Sequence, residues 1–200
     1  MKNSLAIGIT GILGSGKTTV LEILKKIGFR TISCDEIVKE LLEKKYIIKK
    51  FKMIFGTDIL KNNKIDKKKV RDIIFNDLEK KKKIENILHP EVFKKIKKEI
   101  LDTKKRNGII FIEIPLLFET KSEQLFDKIM VVSAPLKEIK KRLKNKYSEE
   151  EIKNIWKNQI PLSYKKKRAD YIIDNSGPIS KTEKKIKEMI ENLLKKDIKN

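Results

Sequence analysis

Cysteine is nearly absent from the chain. Cys34 stands alone among 200 residues, so no intramolecular disulfide and no cysteine-based metal site can form, and this usage fits a reducing compartment. The five prolines and eight glycines gather into no linker that would cut the chain into halves able to fold alone, and 200 residues suffice for one substantial core. Long hydrophobic runs are missing too. Ile109-Ile110-Phe111-Ile112 and Ile129-Met130-Val131-Val132 have the length of strands, far below the roughly 20 residues a membrane helix needs. The first residues carry one lysine and then run into an apolar stretch with no small-residue cleavage site. A cytoplasmic protein without a secretory signal or membrane contact is expected.

Arginine is scarce where lysine is abundant. The net charge of +21 comes from 44 Lys and 5 Arg, alongside 33 Ile and only 3 Ala. This joint skew toward residues with A- and T-rich codons points to genome composition. Runs such as Lys67-Lys68-Lys69 and Lys80-Lys81-Lys82-Lys83 lie in helical patterns and lack the arginines and aromatics that stack on bases. They read as solvated helix faces, so no specific nucleic-acid partner is expected, although a net field attracts polyanions at low salt.

What is present begins with Leu5-Ala6-Ile7-Gly8-Ile9, a buried strand, followed by Gly11-Ile12-Leu13-Gly14-Ser15-Gly16-Lys17-Thr18. An amphipathic helix from about Lys17 to Ile27 comes next, stopped by Gly28. The octapeptide satisfies the full G-x-x-x-x-G-K-[ST] pattern in the strand-then-helix context that the pattern requires. Its glycines let backbone N–H groups approach phosphate oxygens, and the helix N-terminus adds partial positive charge. Lys17 is expected on the β- and γ-phosphates and the Thr18 hydroxyl on a magnesium ion, with Thr19 completing the nucleotide-binding segment.

The remaining pattern alternates strands and helices. Arg30 to Ser33 is a strand, Glu36 to about Glu43 a helix, and Tyr46 to Lys105 is almost wholly helical, with one helix over Leu78 to Leu88 and another starting after His89-Pro90. Strands resume at Ile109 to Ile114 and Lys128 to Val132, with helices over Leu136 to Lys144 and Ser148 to Asn158. In the second of these, Ser148 and Glu151 form a capping box. A strand over Tyr171 to Ile173 and a helix from Lys181 to about Leu194 close the chain. Together these predict an α/β fold, a doubly wound parallel five-stranded sheet with an inserted helical lobe, whose ligands sit beyond the carboxyl ends of the strands. Gly11–Thr18, Asp35, Pro115–Glu119 and Asp174-Asn175 follow strand ends and should share a crevice.

A phosphate loop alone does not separate kinase, GTPase and ATPase. Asn63-Lys64-Ile65-Asp66 spells a guanine-recognition tetrapeptide, but it falls in a polar turn of the helical segment, and no Asp-x-x-Gly follows a strand. For a kinase, Asp35 is placed to accept a hydroxyl proton or to hold metal-bound water. As a residue before a helix it also reads as an N-cap.

These residues, taken in order, resemble the dephospho-CoA kinase family: Ile9 to Thr18, Asp35, Phe55-Gly56, Leu88-His89-Pro90, Pro115-Leu116-Leu117-Phe118-Glu119, Arg142, Gln159 and Arg168 to Gly177. The resemblance implies transfer of the ATP γ-phosphoryl group to the ribose 3′-hydroxyl of dephospho-CoA, with Mg²⁺. It implies a P-loop core over about 1–35, 108–139 and 169–200, a substrate lobe near 36–107 and a lid near 140–168. A monomer is expected. Asp35 then becomes the base or acceptor-orienting carboxylate, and His89, Pro115, Leu116 and Glu119 become acceptor-site candidates. His89 has no second ligand motif for a metal, and a helix-start hydrogen bond remains its plain alternative. Core packing remains the plain alternative for the leucines.

Arg142 and Lys146, four apart on one predicted lid helix, would clamp phosphates. The family often carries Arg where Lys146 stands, and Lys loses the bidentate fork. It often carries Gly where Ile12 stands. Asn175, after the last strand, is an adenine-contact candidate. Phe51, Phe55 and Trp156 sit at core-like helical spacings.

Overall fold

The computed structural model describes residues 4–196. Strand β1 (Leu5–Thr10) feeds helix α1 (Lys17–Ile27), and β2 (Arg30–Ser33) leads directly into α2 (Cys34–Leu41). Helix α3 (Lys45–Phe55) is followed by a 3-10 turn and a two-stranded hairpin of β3 (Leu60–Lys61) and β4 (Lys64–Ile65). Then come α4 (Lys67–Asn76), α5 (Leu78–Lys105), β5 (Ile109–Glu113), β6 (Lys128–Ser133), α6 (Leu136–Leu143), α7 (Glu149–Lys157), α8 (Leu162–Lys167), β7 (Tyr171–Asp174) and α9 (Ile179–Lys196).

The main sheet has five strands, all parallel, in the order β2-β5-β1-β6-β7. With β1 in the centre and its neighbours arriving later in the chain, the sheet is doubly wound, as the alternating pattern predicts. Parallel strands buried on both faces should read as apolar runs, and Ile7, Ile9, Ile110, Phe111, Ile112, Met130, Val131 and Val132 are all fully buried. One core cluster joins Ile7, Ile9, Phe111, Met130, Val132 and Ile173 of the sheet to Val20, Ile23 and Leu24 of α1 and Ile186, Ile190 and Leu193 of α9. Gly8 leaves room for Leu117 and Phe126, since a Cβ there would lie 2.7 Å from Leu117 and 2.9 Å from Phe126.

The chain divides into two compact units, Cys34–Glu99 and the remainder. Within the first, the tetrapeptide at 63–66 makes the hairpin turn and a helix start. Asn62 and Asn63 take φ of 51° and 58°, the left-handed pair of a tight hairpin, and the Asp66 carboxylate accepts from the N–H groups of Lys68 and Lys69 as the N-cap of α4. This explains the spelling without guanine. The hairpin interrupts a segment whose pattern reads as helix almost throughout.

Two boundaries differ from expectation in the same unit. Helix α5 passes unbroken through Pro90, so His89 lies inside a helix and the helix-start hydrogen bond is ruled out. Proline removes one backbone bond of that ladder, and a helix of 28 residues with Ile84, Ile87, Leu88, Val92 and Ile96 buried has enough packing to tolerate the loss. Helix α2 begins at Cys34, placing Asp35 in its first turn instead of at the cap.

Candidate active site

At the carboxyl end of β1 the chain turns through Gly11, Gly14 and Gly16, with φ of 154°, 80° and 95°. Gly16 is required twice over. Its left-handed backbone disfavours any side chain, and a Cβ would fall 1.9 Å from the Asn175 side-chain nitrogen. At Gly14 a Cβ would meet Ile139 and Leu143 of α6 at 2.8 and 2.9 Å. The loop is thus closely backed by β7's end and by α6.

Three side chains from distant parts of the chain bond the loop's backbone. Asn175 Nδ2 donates to the Ser15 carbonyl at 3.0 Å, while its Oδ1 accepts from the buried Thr182 hydroxyl at 2.9 Å. Arg142 donates through Nη1 to the same Ser15 carbonyl at 3.4 Å and through Nη2 to the Asn175 carbonyl at 2.6 Å. The N–H of Leu13 donates to Gln159 Oε1 at 3.1 Å. Asn175 is buried with both ends of its side-chain amide committed, so that side chain braces the loop in this structure.

Lys17 is buried and reaches back to the carbonyls of Gly11 and Ile12, each at 3.4 Å. The ammonium therefore lies along the loop, where phosphate oxygens would offer charge-assisted bonds. The Ser15 hydroxyl is buried and has no hydrogen-bond partner among the described residues, an orphan polar atom of the kind a ligand satisfies. Thr18 is exposed in the first turn of α1. Among the described residues no cluster of three His, Cys, Asp or Glu could hold a metal by itself. A magnesium ion suits this donor set, because it keeps several waters and takes phosphate oxygens with few protein ligands.

The other strand ends lie along the same edge of the sheet. Ile9 stands level with Glu113, Ser33 with Glu113, and Ser133 with Asp174. Glu113 is a buried carboxylate closing an otherwise apolar strand, and sequence reasoning missed it although a charge at the end of Ile-Ile-Phe-Ile was a visible signal. The Pro115 carbonyl accepts from the Thr10 hydroxyl at 3.3 Å, which puts the Pro115–Glu119 turn beside the start of the loop. Pro115 and Leu116 stay half-buried, whereas Leu117 and Phe118 are core. Glu119 turns inward: its Oε1 accepts from the Ile160 N–H and pairs with Lys165, both at 2.8 Å. Beyond β7, the Lys185 ammonium, followed by Ser176, holds the Asp174 carboxyl below its usual range.

Lys146 does not share a helical face with Arg142. Helix α6 ends at Leu143, and Lys146 lies exposed in the turn that follows, its N–H bonded to the Leu143 carbonyl. A run of Lys140, Lys141 and Arg142 in the last turn already favours stopping there. In the helical unit, Asp35 is exposed, and His89 is half-buried with its ring 6.1 Å from that of Phe93, one turn on. A cavity of about 380 Å³ in this unit is walled by Ile54, Phe55, Ile59, Ile73, Lys69 and Lys80. None of the candidate catalytic, nucleotide-binding or acceptor-site residues named from the sequence lines it.

A family model described as dephospho-CoA kinase matches residues 5–181. The chain belongs to the dephospho-CoA kinase family. It is 40% identical over 197 residues to the dephospho-CoA kinase of Carboxydothermus hydrogenoformans, covering 96% of this chain and 95% of that one. It is 36% identical over 192 residues to that of Aquifex aeolicus, covering 94% and 97%. The solved dephospho-CoA kinase from Campylobacter jejuni superposes with a TM-score of 0.69 at 32% identity, covering 94% of this chain and 97% of its own. Family membership makes the chain a kinase, and the phosphate loop falls inside the matched span.

Proposed function

We propose that the chain transfers the γ-phosphoryl group of ATP to the ribose 3′-hydroxyl of dephospho-CoA, giving coenzyme A. The observation that carries this reading is a phosphate loop braced by Asn175, Arg142 and Gln159 within a chain that matches this family almost end to end. The backbone N–H groups at the start of α1 and the Lys17 ammonium would bind the triphosphate, and Arg142 would stabilise charge on the travelling group. A bound magnesium ion would neutralise phosphate charge, with Thr18 as its protein ligand and the buried Glu113 as a candidate to orient its waters. Asp35 would accept the proton of the attacking hydroxyl.

The helical segment near 36–107 would supply the acceptor's surroundings through His89, with Pro115 and Leu116 contributing from the β5 turn. The segment near 140–168 would act as a lid, with Lys146 adding charge from its turn. Glu119 is better used within the fold than on the acceptor, given its two partners.

An acceptor screen with ATP and Mg²⁺ tests the proposal. Dephospho-CoA should be phosphorylated at the 3′ position, read by mass spectrometry and phosphorus NMR. Turnover of nucleoside monophosphates with none of dephospho-CoA would overturn it.

A further inference from the structure

We infer that Gln159 is a positioning residue for the phosphate loop, set in place by the buried pair Glu119–Lys165. Gln159 lies two residues past the end of α7, its own N–H bonded to the Trp156 carbonyl, and its Oε1 takes the Leu13 N–H across 146 residues of sequence. The next residue, Ile160, donates its N–H to Glu119 Oε1 at 2.8 Å. Six residues after Gln159, Lys165 on α8 places Nζ 2.8 Å from that same oxygen. A short segment is therefore pinned at both ends to one carboxylate while its first residue grips the loop.

The pair is not built for stability. Lys165 is 0% exposed, its approach to Glu119 lies outside hydrogen-bond angles, and Glu119 Oε2 is buried with no hydrogen-bond partner among the described residues. A buried ion pair left incompletely satisfied does little to offset its own desolvation. What it does achieve is placement, since both partners of Glu119 belong to the segment that carries Gln159.

Side chains reinforce the same link. Ile12 is buried in a cluster with Ala134, Ile139, Leu143 and Ile152, against which Leu13, Trp156 and Leu162 pack. Residues 12 and 13 are thus fixed by apolar burial on one side and by the Gln159 carboxamide on the other. The orientation of the peptide between them is then set before any nucleotide arrives, so the N–H groups that follow need less reorganisation on binding.

The inference rests on reading Gly11–Thr18 as the ATP site, and is independent of the acceptor. The test is titration of a fluorescent ATP analogue with Mg²⁺ into the full chain, alongside steady-state kinetics with dephospho-CoA. Gln159→Met keeps length and removes the acceptor oxygen. It should weaken nucleotide binding and raise the KM for ATP about tenfold, the scale of one lost hydrogen bond to an organised site. At saturating ATP, kcat should stay within about threefold, a split that general loss of structure does not produce.

Glu119→Gln alone should also weaken nucleotide binding, and in the Gln159→Met background it should add nothing further. If Gln159→Met fails to fold, Glu119→Gln carries the test by itself. Nucleotide binding within twofold of wild type in the folded variant, or full additivity of the two substitutions, would overturn the inference. Wild-type chain that binds the nucleotide but does not turn over dephospho-CoA would sink the proposed acceptor and leave the binding readout decisive here. Wild-type chain that binds no nucleotide would sink both.

Discussion

The phosphate loop and the helical unit Cys34–Glu99 are held together by different means. Around the loop, polar side chains reach backbone groups 127, 146 and 160 residues away in the sequence, and Asn175 and Thr182 make their bond wholly buried. In the helical unit the interior is apolar, with Ile37, Ile47, Phe51, Ile84 and Ile96 buried. Its polar links, Tyr46 to Glu91, Lys95 to Glu40 and Lys69 to the Asp58 carbonyl, lie at the surface. Buried hydrogen bonds fix geometry, whereas surface pairs contribute only about 0–1 kcal/mol and are screened by salt. The phosphate loop is therefore prebuilt, and the unit carrying Asp35 and His89 keeps its candidate groups at least partly open to solvent.

The sharpest way to break this comparison is to ask whether an exposed group of the helical unit controls the chemistry. Asp35→Asn preserves shape and removes the proton acceptor. It should lower kcat by about 10²–10⁴-fold, the range of general base catalysis, while leaving binding of an ATP analogue unchanged. Thermal unfolding should move little, because the carboxylate stands exposed in the first turn of α2. Unchanged turnover would confine Asp35 to a favourable interaction with the helix N-terminus.

On the prebuilt side, Gly16→Ala tests how much of the site is backbone. The new methyl group meets both a φ of 95° and the Asn175 nitrogen 1.9 Å away. It should cost about 1–3 kcal/mol of stability and weaken nucleotide binding as well, since Asn175 must leave the Ser15 carbonyl. Calorimetry with and without ATP reads both effects. A variant as stable as wild type would mean that Asn175 is not the brace the geometry describes.

The same contrast decides what could be read from the sequence. The loop itself is a local motif, and the strand and helix around it follow from apolar runs and Gly28, so its chemistry was legible. The capping box is equally local, and both Ser148 and Glu151 make its bonds. The hairpin at Leu60–Ile65 escaped because its strands are two residues long, too short to show alternation. Pro90 misled as a boundary because burial along α5 outweighs one missing hydrogen bond. Gln159, Asn175 and Glu119 could be noted by resemblance, but what they touch depends on partners brought together by the fold. No spacing rule connects Gln159 to Leu13.

The smallest expected effect lies at the end of β7, where the prebuilt side of the molecule uses a surface pair. Lys185 bonds both the carbonyl and the carboxylate of Asp174, and this ammonium, with Ser176, lowers the carboxyl's pKa below the usual 3.8. Because the folded value is the lower one, the pair's contribution is fully present above the ordinary carboxylate range. It is lost as pH falls through that range toward the folded value. The Asp174 side chain is 48% exposed, so solvent screening holds the contribution to under about 1 kcal/mol. Lys185→Met should therefore lower the unfolding midpoint slightly at neutral pH, and by progressively less as the pH falls below the ordinary carboxylate range. Neutral-pH nucleotide binding should be unchanged, since Asn175 keeps its bonds to Ser15 and Thr182. A large loss of binding would show that the brace on the phosphate loop extends to the surface, and that the two regions differ less than their hydrogen bonds suggest.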